Sequence, residues 1–286
     1  MLLFLAAFIW GVAFVAQSVG MDYMGPLSFN GARFLMGSVV LMPLVYYRRR
    51  QNRKAGKPSG DIKVSIKGGI CCGLALCMAS IFQQYGILHT TVGKAGFITT
   101  LYIVLVPVFG IFLRKKVPGK VWIGAGIAAV GMYLLCMSEK LSLGKGDALV
   151  FICAIIFTIH ILVIDYFSPK ADGVEISCIQ FLTAGVIAGI GALLFEQPQM
   201  SHFISGIIPL AYAGIMSCGV AYTLQVVGQK NVEPTIASLI LSLESVVSML
   251  AGWVILEQAL STRELLGCAL VFTAVILVQL PDKQKV

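Results

Sequence analysis

Apolar and polar positions alternate along this chain in long blocks, not at short intervals. Ten apolar runs, near 2–19, 27–47, 66–88, 92–113, 119–137, 147–167, 174–195, 204–227, 233–256 and 263–280, are separated by short polar breaks. Each is close to the roughly 20 residues that carry a helix across about 30 Å of hydrocarbon. Helices are the expected form, because every backbone amide and carbonyl in lipid must be satisfied within its own segment. The ten-residue alternation of a membrane barrel is not seen. The breaks carry Gly25-Pro26, Pro118-Gly119, Gly144 with Gly146, Pro169 and Pro198; the longest, Arg48–Asp61, is polar and is expected to form a mobile loop. The pattern predicts an all-α polytopic membrane protein with ten transmembrane helices.

Composition sharpens this. Only 12% of the 286 residues are charged and 58% are hydrophobic, against about 25% charged in soluble domains, which excludes separate soluble units. The net charge of +8 points to topology, not to nucleic acid. With the N-terminus in the cytoplasm, sixteen lysines and arginines fall in inner loops and four in outer ones, Arg33 alone lying within a span. That bias predicts a multi-pass protein of the cell (cytoplasmic or inner) membrane with both termini cytoplasmic. The first run starts at Met1 without a basic lead, so it is read as a span and not as a cleaved signal. The eight cysteines lie in apolar segments without metal or disulfide spacing and are read as small packing residues.

The chain repeats weakly. Moving residues 83–101 forward by 142 places Gln83 on Gln225, Gly86 on Gly228, Ala95 on Ala237 and Leu101 on Leu243. A shift of 147 places Phe34-Leu35 on Phe181-Leu182. Two five-span units, 1–138 and 147–281, are expected to form one transport domain. Five is odd, so the copies must cross the membrane in opposite directions, a plan that puts a solute site near the midplane between halves.

Glu244 is the leading candidate, an acid near the middle of Thr235–Leu256. An ionisable group at that depth is costly and is read first as functional. It can carry a proton or pair with a substrate ammonium; the alternative is a carboxyl that fixes helix packing. Gln83 and Gln225 can each donate and accept hydrogen bonds, to substrate or to another helix. Trp10 and Phe14 share a helix face and form either an aromatic wall for a flat or cationic ligand or a packed pair. Tyr102 and Tyr222 are similar candidates. His160 is a second proton-coupling candidate, or a neutral bonded histidine. Arg33, one turn from Asn30, either binds an anionic group or snorkels to cap a helix end. Pro107, with Gly96 and Gly110, is the expected hinge of the fourth span. No Walker loop, HExxH or Gly-x-Ser-x-Gly is present, so neither direct ATP drive nor an enzyme is expected, and no metal or cofactor is called for.

Three stretches resemble a known family. AAFIWGVAFVAQ (Ala6–Gln17) is similar to the first-helix signature of EamA-type transporters of the drug/metabolite transporter superfamily. TTLYIVLVPVFGIFL (Thr99–Leu113) is similar to their fourth helix, and ASLILSLESVVSMLAGWVILEQALSTRELLGCAL (Ala237–Leu270) to their ninth, the next loop and the tenth. Ser245 stands where the family often has proline after the glutamate. The resemblance implies a ten-helix inverted repeat, helices one, three, four, six, eight and nine around a central cavity, and export of amino acids, metabolites or drugs. The expected function is secondary active transport of a small organic metabolite such as an amino acid, as exporter or exchanger. A broad multidrug exporter and a non-transporting scaffold or sensor are the alternatives. The expected partners are the lipid bilayer, a small-molecule solute and protons, with a homodimer left open and no nucleic acid.

Overall fold

A computed structural model describes residues 1–54, 61–90, 92–113, 117–136, 144–256 and 261–279. Among these residues there is no strand. The helices are α1 (Leu2–Gly20), α2 (Pro26–Lys54), α3 (Ile62–Ile87), α4 (Val92–Thr100), α5 (Tyr102–Phe112), α6 (Gly119–Cys136), α7 (Lys145–Phe167) and α8 (Gly173–Phe195). There follow α9 (Met200–Ser205), α10 (Ile207–Ala211), a π-helical stretch Tyr212–Tyr222, α11 (Thr223–Gln229), α12 (Pro234–Leu241), α13 (Leu243–Leu256) and α14 (Thr262–Gln279). Among the described residues, seven segments are long and apolar enough to cross a membrane, and three shorter apolar helices, Ile98–Phe112, Gly119–Gly131 and Leu265–Val278, accompany them. Phe8, Val39, Leu193, Phe195 and Val254 are exposed on outward faces, as lipid-facing positions should be. The chain is an all-α polytopic membrane protein.

Three features depart from the sequence expectation. α2 continues as helix through Arg48–Lys54 where a loop is expected; arginine, glutamine and lysine are good helix formers, and Arg48 and Arg49 are tied to α8. Residues 55–60 of that loop lie outside the described residues, as do the basic residues Arg114–Lys116, Lys140, Lys283 and Lys285. The eighth span is not one α-helix but α9, α10, the π-helical stretch and α11. The fourth and ninth spans are each interrupted, at Leu101 and at Ser242.

The ninth-span break has a local cause. Ser238 Oγ donates to the Thr235 carbonyl (2.9 Å), Ser242 Oγ to Leu239 (2.7 Å) and Ser245 Oγ to Ser242 (2.7 Å). Hydroxyls bonded back one turn compete with the helix ladder and bend it. The Ser245 amide then bonds Ser242 at i−3 (3.1 Å). Ser245, where the resemblance leads one to expect proline, thus takes part in the bend. In the fourth span, Thr100 Oγ1 bonds Gly96 (2.9 Å) and the Leu101 amide bonds Ile98 (3.2 Å). Pro107 sits buried inside α5, beyond this interruption.

Packing is reciprocal. α2 lies on α8, and α6 on α14. α3 packs on α7 and α8, while the π-helical stretch packs on α1 and α2. α1 lies on α12 and α13, and α7 on α4 and α5. Exchanging the first five spans for the last five, in order, leaves these pairings unchanged. The α1–α13 contact depends on Gly11, where a Cβ would stand 2.4 Å from Val247 Cβ and 2.8 Å from the Glu244 carbonyl oxygen.

Candidate functional site

The two helix breaks and the π-helical stretch meet in the bundle's interior. A π-helix is rare and is frequently found at functional sites; here it brings Ser217 and Tyr222 to a cavity. The breaks bring Thr99 and Tyr102 from the fourth span, and Leu241 and Glu244 from the ninth. α1 contributes Trp10, Phe14 and Gln17, α2 Arg33, α3 Gln83, α7 Phe157, His160 and Ile161, and α11 Gln225. The space between atoms is about 500 Å³, of which about 40 Å³ admits the centre of a water molecule. One water needs roughly 10–15 Å³ by that measure, so the walls stand close and a larger solute requires the helices to separate.

The geometry brings Trp10, Phe14, Gln83, Tyr102, His160, Tyr222, Gln225 and Glu244 to one cavity. Pro107 is not on its wall. Tyr102 Oη donates to Glu244 Oε1 at 2.9 Å, and the two residues are 142 positions apart, the offset that relates Gln83 to Gln225. Phe34 and Phe181, related by the offset of 147, stack with ring centroids 6.1 Å apart. Residues related by a two-fold exchange touch each other only near its axis. The wall follows the same offsets: Thr99 pairs with Leu241 at 142, and Trp10 with Phe157 and Phe14 with Ile161 at 147. Applying the two shifts to the first-half candidates would have found Phe157 and Ile161. Gln17 and Ser217 carry no such signal.

Arg33 does not snorkel. It is 2% exposed and reaches the cavity from α2, outside the six helices that the resemblance places there. The wall also holds polar atoms that have no hydrogen-bond partner among the described residues: Trp10 Nε1, Gln17 Oε1, Arg33 Nε, His160 Nδ1 and Gln225 Oε1. Gln83 Nε2 donates to Thr99 Oγ1 (3.3 Å), and His160 Nε2 meets Gln180 Oε1 (3.2 Å). Trp10 packs edge-on against Tyr222, centroids 4.5 Å apart. A mostly apolar pocket with a few convergent polar groups is the form a small-molecule site takes. Among the described residues, no group of three or more His, Cys, Asp or Glu could hold a metal ion.

A second depression, about 480 Å³ by the stricter measure, lies over Asp165, Lys230, Asn231, Glu233 and the start of α12 at Pro234 and Thr235. α12 runs from it to Leu241 on the cavity wall, about 9 Å at 1.5 Å per residue.

A family model described as the EamA-like transporter family matches residues 1–137 and again 144–280. An uncharacterised transporter of Archaeoglobus fulgidus is 28% identical over 277 residues, covering 96% of this chain and 84% of that protein. The uncharacterised inner membrane transporter YedA of Escherichia coli K12 is 23% identical over 283 residues, covering 97% and 89%. A solved crystal structure of a protein superposes with a TM-score of 0.73 at 17% identity, covering 96% of each chain, which shows a shared fold.

Proposed function

The chain belongs to the EamA-like transporter family and is a membrane transporter, and we propose that it is a secondary active exporter or exchanger of a small polar organic solute, such as an amino acid, working by alternating access around this cavity. The units 1–138 and 147–281 are read as inverted repeats of five spans each, with both termini cytoplasmic. The reciprocal packing and the contacts Phe34–Phe181 and Tyr102–Glu244 support that reading. A site on the axis between inverted halves is one that rocking can expose to either face. The depression over Lys230 and Glu233 would be the cytoplasmic mouth.

The observation that carries the solute reading is the set of unpartnered buried polar atoms on one wall. An unsatisfied buried donor or acceptor costs about 1–3 kcal/mol, and five on one cavity make sense where a ligand supplies their partners. A scaffold would gain nothing from them. The aromatic faces of Trp10, Phe157 and Tyr222 favour a second reading, a broader exporter of flat compounds.

Glu244 is read as the proton carrier and Tyr102 as its positioning partner, with His160 as the second candidate. Pro107 remains the proposed hinge of α5. The test is uptake and counterflow in proteoliposomes with an amino-acid and drug panel, with and without a pH gradient. Glu244→Gln should abolish gradient-driven uptake while leaving counterflow. Flux unchanged in the variant at every pH removes the proton role, and no flux for any compound favours the scaffold.

A further inference from the structure

Among the described residues Arg33 is the only lysine or arginine on the cavity wall. An arginine keeps its charge in proteins, and an unpaired buried charge is expensive. Arg48 pairs with Asp172 and Arg49 with Glu175; among the described residues Arg33 and Glu244 share a cavity without forming an ion pair. Arg33 Nε has no hydrogen-bond partner among the described residues. The guanidinium carbon lies 4.7 Å from the centroid of the Phe34 ring and 5.6 Å from that of Phe29. Such contacts offset only part of the cost of burying an ion. What the rings do well is hold the planar fork in place.

The second half shows that packing alone does not demand a cation here. At the offset of 147 that stacks Phe34 on Phe181, the counterpart of Arg33 is Gln180, a neutral side chain engaged with His160. Arg33 is therefore an asymmetry placed on a near-symmetric site.

We infer that Arg33 binds the anionic group of the solute, a carboxylate, through its guanidinium fork. The inference rests on the transport reading above and gives its solute a chemical class. The fork matches a carboxylate in a bidentate pair. A single cation on the wall suits a single negative charge; a phosphate dianion would leave one charge unmatched beside the Glu244 carboxyl. The aromatic wall of Trp10 and Tyr222 takes the remainder of the molecule.

The test measures binding of phenylacetate, phenylacetamide and phenethylamine to the full-length protein in lipid nanodiscs, a series with a constant ring and a changing charge. Wild type should prefer phenylacetate to phenylacetamide by roughly 10- to 100-fold, the range of a charge-assisted hydrogen-bonded pair. Arg33→Gln should erase that preference while keeping amide binding, and Arg33→Lys should keep part of it. Equal binding of acid and amide by wild type, a preference that survives in Arg33→Gln, or no binding of the acid at all overturns the assignment. If Arg33→Gln fails to fold, the wild-type acid-to-amide ratio decides alone. Arg33-dependent acid binding without counterflow would sink the transport reading and leave the site. Counterflow of amide or amine regardless of Arg33 would do the reverse.

Discussion

The α2–α8 pair is fastened at both ends, and the two fastenings occupy related positions with different chemistry. At one end Glu196 accepts hydrogen bonds from the Leu27 amide (2.8 Å), the Ser28 amide (2.7 Å) and Ser28 Oγ (2.7 Å). α8 ends just before, at Phe195, and Gln197 beyond its cap has a φ of 49°, in the left-handed region, so the helix does not continue. At the other end Glu175 accepts from Arg49 Nε (2.6 Å) and Ser65 Oγ (2.8 Å), and Asp172 from Arg48 Nη1 (3.3 Å). At the offset of 147, Ser28 corresponds to Glu175 and Arg49 to Glu196. A polar clasp sits at each end of the pair. The charge bias of the loops then decides its content: a carboxylate on the free amides of a helix N-terminus where cations are scarce, and ion pairs where arginines are plentiful.

That difference should be visible in stability. The largest effect is expected at Glu175, which is buried and serves both Arg49 and Ser65. Glu175→Ala strands a cation and a hydroxyl, and removal of one partner of such a pair should cost about 2–3 kcal/mol, reduced from the fully buried case because Arg49 is partly exposed. Thermal unfolding in nanodiscs reads the loss. A double-mutant cycle with Arg49→Ala should return most of it as coupling, and a coupling near zero would mean that the Glu175 clasp is not held by charge.

The next effect belongs to Glu196. Glu196→Ala leaves two α2 amides uncapped and should cost about 1–2 kcal/mol. Glu196→Gln, which still offers an acceptor, should recover about half. Should Glu196→Ala cost as much as Glu175→Ala, the two ends do not differ in kind and the comparison fails.

Neither clasp was legible beforehand, because each joins residues more than a hundred positions apart and nothing local marks Ser28, Ser65 or Glu196. The spans themselves were legible, since burial in lipid writes itself as long apolar runs. So was much of the cavity: Glu244 stood out by its cost, and Gln83 and Gln225 by the offset. The same offset placed one residue further puts Tyr102 on Glu244, the pair that turned out to be bonded. The π-helical stretch was not readable, because its i→i+5 bonds depend on tertiary fit and its sequence, YAGIMSCGVAY, also suits an ordinary helix. The break at Ser242 was half readable. The sequence puts Ser245 where the family often has proline, which left a bend of this helix open, and serine back-bonding supplies one.

The smallest effect is expected at Arg48. Its bond to Asp172 is 3.3 Å long and the arginine side chain is 46% exposed, so solvent screens the pair and Arg48→Ala should change stability by no more than about 0.5 kcal/mol. Asp172→Ala should cost more, because Asp172 Oδ1 also accepts from the Val174 amide at 2.8 Å and the Glu175 amide at 3.3 Å, capping α8. Loss of such a cap costs typically about 1 kcal/mol. Raising the salt concentration should erase the Arg48 contribution and leave the cap. Unfolding of both variants at low and high salt separates the two terms. An Arg48→Ala loss that equals the Asp172→Ala loss and persists in salt would mean that the Glu175 and Asp172 clasp is one ionic network, and that capping, which defines the Glu196 clasp, has no part in it.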